Sequence, residues 1–260
     1  MPAVTSNLYP HGEPFWSRSN GAVLPSLVPR NTRDNSGGTI GQPPPLFAGI
    51  LPGDYSRIAA AARGREFERG EMLFIEGDSV QQVLLLTSGF AKINKLGLSG
   101  SEVILRFSAP GDVLGAVGLF STGRHSTTAQ SFRMCRALVW EPPAFKALAE
   151  RFPVLHQNMA RIVGGELLEL EERFREIATE RVAPRVARQL VRLLDKIGRR
   201  VEDGIEISLS REELAQMTGT TLFTVSRLLS AWEADGIVRP RREAVAICDE
   251  QALRAIFASS

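Results

Sequence analysis

The spacing of apolar residues changes close to Pro142, and this change limits the folds available to the chain. From Phe67 to Trp140, short apolar runs alternate with Gly, Asp and Ser, and turn residues recur every 8 to 12 positions or so, as is typical of an antiparallel sandwich or barrel. After Pro142, apolar residues recur at helical intervals. The pattern therefore predicts an α+β fold, with a β-sandwich first and helices after it.

A long amphipathic helix is expected after Pro153. Between Leu155 and Ile177, apolar residues recur every few positions, with Glu and Arg mostly between them. A helix of about 25 residues is about 38 Å long, longer than a small β-domain needs for cover. We therefore expect the apolar stripe to pack against a second copy of the chain, and the alternative is that it packs only on its own chain. The predicted interface residues are Leu155, Met159, Ile162, Leu170 and Phe174.

Two short helices joined by a turn are expected near the C-terminus. Ser210 with Glu213 three residues later is a capping box that opens a helix, and Gly219 lies one turn after Ala215. Thr220 or Thr221 can cap a second helix, whose buried face consists of Val225, Leu228, Leu229 and Trp232. The pattern indicates a helix-turn-helix, and the alternative is a structural helical hairpin.

The opposite face of the second helix is the candidate DNA-reading surface. Apolar side chains in this position can contact thymine methyl groups, and Arg227 can donate to guanine or to phosphate. The alternative is that Leu222 and Phe223 are core residues or a protein-contact surface. The candidate residues are Thr221, Leu222, Phe223, Thr224, Ser226 and Arg227.

Two short apolar strands after Gly236 predict a hairpin wing. They flank Pro240, Arg241 and Arg242, and we expect Arg241 and Arg242 to lie near DNA phosphates, with Arg239 and Arg199–Arg200 as additions to the patch. The formal net charge of the chain is only +2, so any nucleic-acid footprint must be local.

The ends and boundaries follow from composition. Residues 1–45 are rich in Pro, Gly, Ser and Asn without an apolar period, which predicts a flexible tail. We expect a β-domain over 46–150, a dimerisation helix over 151–180 and a DNA-binding domain over 181–260. The sequence contains no signal-peptide pattern and no apolar run of about 20 residues, so we expect a cytoplasmic protein without membrane contact.

The order of these parts resembles the CRP/FNR family of bacterial transcription regulators. The stretches that carry the resemblance are "RGEMLFIEGDS", "LLLTSGFAKI", "PGDVLGAVGLF" and "LSREELAQMTGTTLFTVSRLLSAWEADGIV". The resemblance implies a jelly-roll sensor domain of the cyclic-nucleotide-binding type, a homodimer, and paired winged helix-turn-helix domains on double-stranded DNA. The half-sites of a palindrome would then lie one helical turn, about 34 Å, apart. The resemblance also implies RNA polymerase as a partner.

The chain departs from the members of this family that bind cyclic AMP. Where they carry a Glu for the ribose, this chain has Ala116, and where they carry Arg-Ser or Arg-Thr for the phosphate it has Ser126 and Thr127, with Arg124 displaced by two positions. We therefore expect no cyclic AMP bound in the usual way. The effector-pocket candidates are Gly115, Ala116, Arg124, Ser126 and Thr127.

Other signals and activities remain as alternatives. The tail has no cysteine, and Cys135 and Cys248 form no cluster, so we expect no iron–sulfur centre. The recognition helix is similar to that of nitric-oxide-responsive denitrification regulators, some of which are thought to use haem, but His11, His125 and His156 define no axial pair. A metal-dependent enzyme is not expected, because three scattered histidines cannot form a clustered site, and no catalytic triad is recognisable. A protein-interaction module is the remaining alternative.

Overall fold

The computed structural model describes residues 43–98, 100–202 and 204–258. The flexible tail expected over residues 1–45 lies outside these ranges, except for its last three positions. Of the helices in these ranges, none is long and apolar enough to cross a membrane.

The predicted β-sandwich is confirmed. Within the described residues, its strands form two antiparallel four-stranded sheets, in the orders β1-β8-β3-β6 and β2-β7-β4-β5. Apolar side chains from both sheets, such as Phe67, Leu84 and Ile93, fill the space between them. The strands are β1 (Arg63–Phe67), β2 (Met72–Phe74), β3 (Val83–Ser88), β4 (Ala91–Leu96), β5 (Glu102–Ser108), β6 (Val113–Leu114), β7 (Thr128–Ser131) and β8 (Cys135–Trp140).

Short helices close one side of the sandwich. They are a 3-10 helix (Pro45–Phe47), α1 (Pro52–Ala60), α2 (Ala116–Phe120) and α3 (Pro142–Arg151). Their apolar residues form a second core around the fully buried Trp140, whose indole N–H donates to the carbonyl of Ile58 at 2.9 Å. The sequence does not predict α1 or α2, because each is too short to show a helical period.

The expected long helix is α4 (Pro153–Thr179), and α5 (Val182–Ile197) follows it. The helix is interrupted at Glu180 and Arg181, and α5 begins at Val182, two residues before Pro184. Pro184 lies in the first turn of α5, where its missing amide hydrogen has no intrahelical partner to lose. A proline in this position is tolerated inside the first turn and does not mark where the preceding helix ends.

The C-terminal region is a winged helix-turn-helix. Its elements are β9 (Arg199–Val201), β10 (Gly204–Ile207), α6 (Arg211–Thr218), α7 (Leu222–Ala234), β11 (Val238–Pro240), β12 (Val245–Ile247) and α8 (Glu250–Ala258). The strands pair in the order β11-β12-β10-β9, so the predicted wing hairpin is one half of a four-stranded sheet. The core of this region also contains Ile104 and Phe107 from β5, which shows that the sandwich is docked directly on the DNA-binding domain.

Candidate DNA-binding surface and sensor cavity

The turn between α6 and α7 has the geometry that its sequence predicts. The Glu213 amide donates to Ser210 Oγ at 3.1 Å, and the Ser210 amide donates to Glu213 Oε2 at 2.9 Å, which completes the capping box. Gly219 ends α6 in the left-handed region at φ 59°, which a side chain with a Cβ rarely adopts. The two helices of the motif are therefore separate, as predicted.

A buried arginine that the sequence pattern does not reveal holds the same turn in place. Arg185 on α5 donates from Nε to the carbonyl of Thr218 at 2.7 Å and from Nη2 to that of Gly219 at 3.5 Å. These carbonyls belong to the end of α6, where a cation interacts favourably with the helix dipole. The α5 helix thus holds the turn in place from below. No local pattern signals this contact, because the partners are more than 30 positions apart in sequence.

The α7 helix has one buried face and one exposed face. The Thr224 amide donates to Thr221 Oγ1 at 3.2 Å, so Thr221 is the N-terminal cap. Val225 and Leu229 are fully buried under the helix. On the other face, side chains of the first turn point to solvent, and the exposed fractions of Leu222 and Phe223 are 50% and 75%. The alternative that these two residues belong to the core is therefore wrong.

The remaining residues of the candidate reading face also reach solvent. Thr221 and Arg227 are exposed, and Thr224 and Ser226 are half-buried. Arg227 makes no ion pair with any residue that the structure describes. The face therefore combines hydroxyls, two apolar side chains and one available guanidinium, which is a set of groups suited to base edges and phosphates.

The wing carries fewer available charges than its sequence suggests. Arg241 donates to Glu206 Oε2 at 2.5 Å, and Arg199 donates to Glu206 Oε1 at 2.9 Å, so one buried carboxylate holds both guanidinium groups. Arg242 is exposed at the tip of the hairpin. Glu206 was not recognised from the sequence, because it approaches Arg241 only when β10 pairs with β12.

A cavity of about 530 Å³ lies between the sandwich and α4. Four of the five effector-pocket candidates line it, namely Gly115, Ala116, Ser126 and Thr127. Gly115 has φ 83°, and a Cβ in its place would lie 2.7 Å from the carbonyl oxygen of Gln82, so only glycine fits between the strand and the cavity wall. The structure thus brings together residues from two separate loops.

Arg124 is the exception, and the structure corrects its assignment. Its side chain is exposed, and Nη1 donates to the carbonyl of Gly77 at 2.7 Å, outside the cavity lining. The backbone explains this position, because Arg124 forms an isolated bridge with Ser79 that directs this stretch toward the neighbouring loop. Arg124 is therefore unsuited to hold an anion in the cavity.

The charged groups in the cavity lining were not recognised from the sequence. Arg106 on β5 forms an ion pair with Glu166 on α4 at 2.7 Å. Burial raises the pKa of Glu166, and the charge of Arg106 acts in the opposite direction. Arg173 is buried and donates to the carbonyls of Leu105 and Met217, the latter at 3.1 Å. These contacts join segments that are remote in sequence, so no spacing rule could find them.

Two histidines line the same cavity from opposite walls. The His125 ring stacks on Phe74 with centroids 3.9 Å apart, and the His156 ring on α4 meets the edge of Phe120 at 5.4 Å. Burial lowers the pKa of His125, with a smaller opposing effect from Asp78. His11 lies outside the described residues. No cluster of three or more His, Cys, Asp or Glu side chains suited to a metal occurs in the residues that the structure covers.

The α4 stripe divides into two halves. Leu155 is fully buried in the core of its own chain, so its assignment to a dimer interface is corrected. Met159 and Ile162 are half-buried against the same core and line the cavity. Further along, the apolar residues are exposed, with Phe174 at 71%. This exposed stripe consists of Val163, Leu167, Leu170, Phe174 and Ile177.

Two family profiles match the chain. The profile described as "Cyclic nucleotide-binding domain" matches residues 64–152, and the profile described as "Crp-like helix-turn-helix domain" matches residues 184–256. The first covers the sandwich and the second covers the winged helix-turn-helix, so their order agrees with the fold.

Curated relatives and solved structures extend over the same region. The chain is similar to the CRP-like cAMP-activated global transcriptional regulator of Mycobacterium tuberculosis, with 24% identity over 210 residues, 80% of this chain and 94% of the relative. It is 29% identical to the cyclic AMP receptor protein of Thermus thermophilus over 195 residues, 75% and 88% of the two chains. A CRP-family transcriptional regulator from Thermus thermophilus, a solved structure, matches with a TM-score of 0.66 at 25% identity, covering 75% of this chain and 97% of that one.

Proposed function

The chain belongs to the CRP/FNR family of bacterial transcription regulators, and we propose that it reads a palindromic operator as a homodimer under the control of a signal other than cyclic AMP bound in the usual way. The helix-turn-helix supports the reading of DNA, and the exposed stripe on α4 supports the homodimer. The lining of the cavity supports a signal other than cyclic AMP.

The single observation that carries DNA reading is the exposed first turn of α7. Leu222 and Phe223 extend into solvent beside the Thr221 cap, although large apolar side chains are usually buried. In a major groove they would lie against thymine methyl groups, with Arg227 one turn further along the same helix. We propose that the hydroxyls of Thr221 and Thr224 and the wing guanidinium of Arg242 contact phosphates, and that Ser226 lies at the edge of the base contacts. Arg241 contributes less, because Glu206 already binds it.

Dimerisation would use the exposed stripe on α4. Its five residues follow each other at intervals of four, three, four and three positions, which is the spacing of a coiled-coil seam. In the described residues of one chain, nothing covers this stripe, and Gly164 and Gly165 beside it have open space where a Cβ would stand. Two α4 helices packed along this seam would place the two α7 helices on the same side of the dimer, as a palindrome requires.

RNA polymerase is the further partner that we propose. The names of two relatives support this proposal, because an activator of transcription acts on the polymerase. One relative is a cAMP-activated global transcriptional regulator, and another is the transcriptional activator protein Anr of Pseudomonas protegens, 26% identical over 200 residues.

A selection from random duplexes tests the proposal. The purified chain is incubated with a pool whose random region is long enough to contain two half-sites about 34 Å apart, and bound DNA is amplified over several rounds. We expect an enriched palindrome, with thymine in the half-site at the positions opposite Leu222 and Phe223. Absence of any enriched motif at low salt would contradict DNA reading and favour a protein-contact role for the motif.

A further inference from the structure

We propose that the cavity between the sandwich and α4 binds an uncharged, predominantly apolar ligand. This inference rests on the proposed function, since it identifies the class of signal that the sensor receives. Three observations carry it: the composition of the wall, the balance of its charges and the polar atoms left without partners.

The wall is mainly apolar. The volume of the cavity, about 530 Å³, lies within the range of small-molecule sites, roughly 300 to 1,000 Å³. Apolar side chains come from both the sandwich and α4, so a ligand would lie between the two. The apolar part of the lining includes Phe74, Ile93, Phe120, Met159 and Ile162, and it extends to Val163, Leu167 and Leu170, where the cavity opens toward the exposed stripe. Such a wall binds by removing apolar surface from water.

Both guanidinium groups of the lining are already engaged. Among the described residues of the lining, the guanidinium groups are those of Arg106 and Arg173, and the carboxylates are those of Glu166 and Glu169. Arg106 is engaged by Glu166 at 2.7 Å, and Arg173 donates to backbone carbonyls. A cyclic phosphate would bring a negative charge without a free guanidinium to receive it, which is unfavourable in a partly desolvated site. An uncharged ligand leaves the existing pairs intact.

Polar atoms on one wall can orient such a ligand. The hydroxyls of Ser126 and Thr127 make no hydrogen bond to any described residue, and both residues line the cavity. The imidazole of His125 lines the cavity next to them and offers two further ring nitrogens for hydrogen bonds. A ligand with a few neutral polar atoms at one end and an apolar ring or chain at the other fits this arrangement.

Fluorescence titration with N-phenyl-1-naphthylamine, an uncharged apolar probe, tests the proposal. We expect saturable binding to the full chain, with a dissociation constant that rises at least about tenfold in Ala160→Trp, because Ala160 lines the cavity and the indole would fill it. The matched control is Ala147→Trp, an exposed alanine on α3 outside the lining, which should bind the probe as the unmodified chain does.

Several outcomes would overturn the proposal. Unchanged probe binding in Ala160→Trp would place the probe elsewhere, and displacement of the probe by micromolar cyclic AMP would show a charged ligand in the cavity. Haemin that binds with a Soret shift and is lost in Ala160→Trp would likewise identify a charged ligand, since haemin carries two propionates. Operator binding is measured separately by anisotropy, so loss of the proposed function is distinguished from loss of the cavity assignment.

A second inference comes from β5, which has the cavity on one side and the DNA-binding domain on the other. Ile93 pairs with Arg106 and Asn94 pairs with Ile104, so Leu105 is an extra residue that forms a bulge. Ile104 and Phe107 pack in the C-terminal core, whereas Leu105 and Arg106 line the cavity. A displacement of residues 104–107 would therefore alter the packing of both the sandwich and the DNA-binding domain.

Arg173 joins this bulge to the helix-turn-helix. Its Nη1 donates to the carbonyl of Leu105, and its Nη2 donates to the carbonyls of Met217 at 3.1 Å and Ile104 at 3.5 Å. Met217 lies in α6, so one buried guanidinium contacts the cavity, the sensor strand and the first helix of the DNA-binding motif. We infer that Arg173 is the positioning residue through which occupancy of the cavity changes the placement of α6 and α7.

Hydrogen exchange with and without the same probe tests this link. We expect bound N-phenyl-1-naphthylamine to change exchange in both residues 103–108 and residues 211–218 of the unmodified chain. In Arg173→Gln the first change should remain and the second should be lost, because the two carbonyls are no longer held by one side chain. The control is Arg175→Gln, an exposed arginine paired with Glu172, which should respond as the unmodified chain does.

The inference fails if residues 211–218 do not respond to the bound probe in the unmodified chain. It also fails if they respond to the same extent in Arg173→Gln. A merely structural role for Arg173 would raise exchange in both segments equally, with or without probe, and would leave the probe-dependent change in α6 in place.

Discussion

The helix-turn-helix is formed by one continuous stretch, Ser210 to Trp232, whereas the cavity is lined from the sandwich and from α4, segments up to about 100 positions apart. In the helix-turn-helix, each residue type is explained by its own position in the chain, such as a helix cap or a left-handed turn. In the second region the roles arise only when distant segments meet. A chain can therefore keep a DNA-binding motif that one local stretch encodes while the lining of a cavity formed by distant segments changes.

The largest effect is expected where the two regions share a core. Phe107 on β5 is 1% exposed and packs among residues of the C-terminal domain. Replacing it with Ala should lower the free energy of unfolding by about 3 to 5 kcal/mol, because a buried aromatic side chain is lost and a cavity remains. Urea unfolding followed by circular dichroism and tryptophan fluorescence measures this.

The matched control for Phe107→Ala is Phe223→Ala, which removes an equally large side chain from an exposed position and should leave stability within about 0.5 kcal/mol. If both variants were equally stable, the sandwich would not be docked on the DNA-binding domain as described, and the two regions would be independent.

The next effect concerns the helix that links the two regions. Phe174→Asp places a charge in the exposed stripe and should weaken the dimer by about 2 to 4 kcal/mol, which sedimentation equilibrium detects as a shift to monomer. Leu168→Asp is the control, because Leu168 is exposed to a similar extent but lies off the stripe. A dimer that withstands Phe174→Asp, or that Leu168→Asp disrupts equally, would contradict the proposed seam.

A smaller effect is expected on the DNA-reading surface. Phe223→Glu should change the preferred half-site by about 1 to 3 kcal/mol at one base pair, since the carboxylate would accept from cytosine rather than contact a thymine methyl group. The control Ala231→Glu adds the same charge at the far end of α7, away from the first turn, and should leave the selected motif unchanged. An identical motif in Phe223→Glu would remove Phe223 from the base contacts.

The smallest effect is expected at Arg124, which the sequence places near the effector pocket and the structure places outside the cavity. Arg124→Ala removes an exposed hydrogen bond to Gly77 and should change stability by less than about 0.5 kcal/mol. Binding of the apolar probe should be the same as in the unmodified chain. A marked loss of probe binding would return Arg124 to the cavity.

The sequence predicted the elements whose determinants are local. Ser210 with Glu213, Gly219 and Thr221 occupy the predicted cap and turn positions, and the wing hairpin forms where its two apolar strands were expected. The exposure of Leu222 and Phe223 was also foreseen, because the opposite face already had its full set of apolar anchors.

The sequence did not predict the contacts that form between distant segments. Arg106 meets Glu166, and Arg173 meets Met217, only after α4 folds back along the sandwich. Leu155 was assigned to the dimer interface because its period matches the stripe, but the core of its own chain covers the first turns of α4. A period along a helix identifies an apolar face, and only the tertiary structure identifies what covers it.

The most direct test of the central claim is a titration of the selected operator by fluorescence anisotropy, with and without millimolar cyclic AMP. The helix-turn-helix has the elements of its family, whereas both guanidinium groups of the cavity lining, those of Arg106 and Arg173, are already engaged and neither is free for a cyclic phosphate. We predict tight binding to the palindrome and the same binding curve in both titrations. A curve that shifts about tenfold toward tighter binding when cyclic AMP is present would contradict the account.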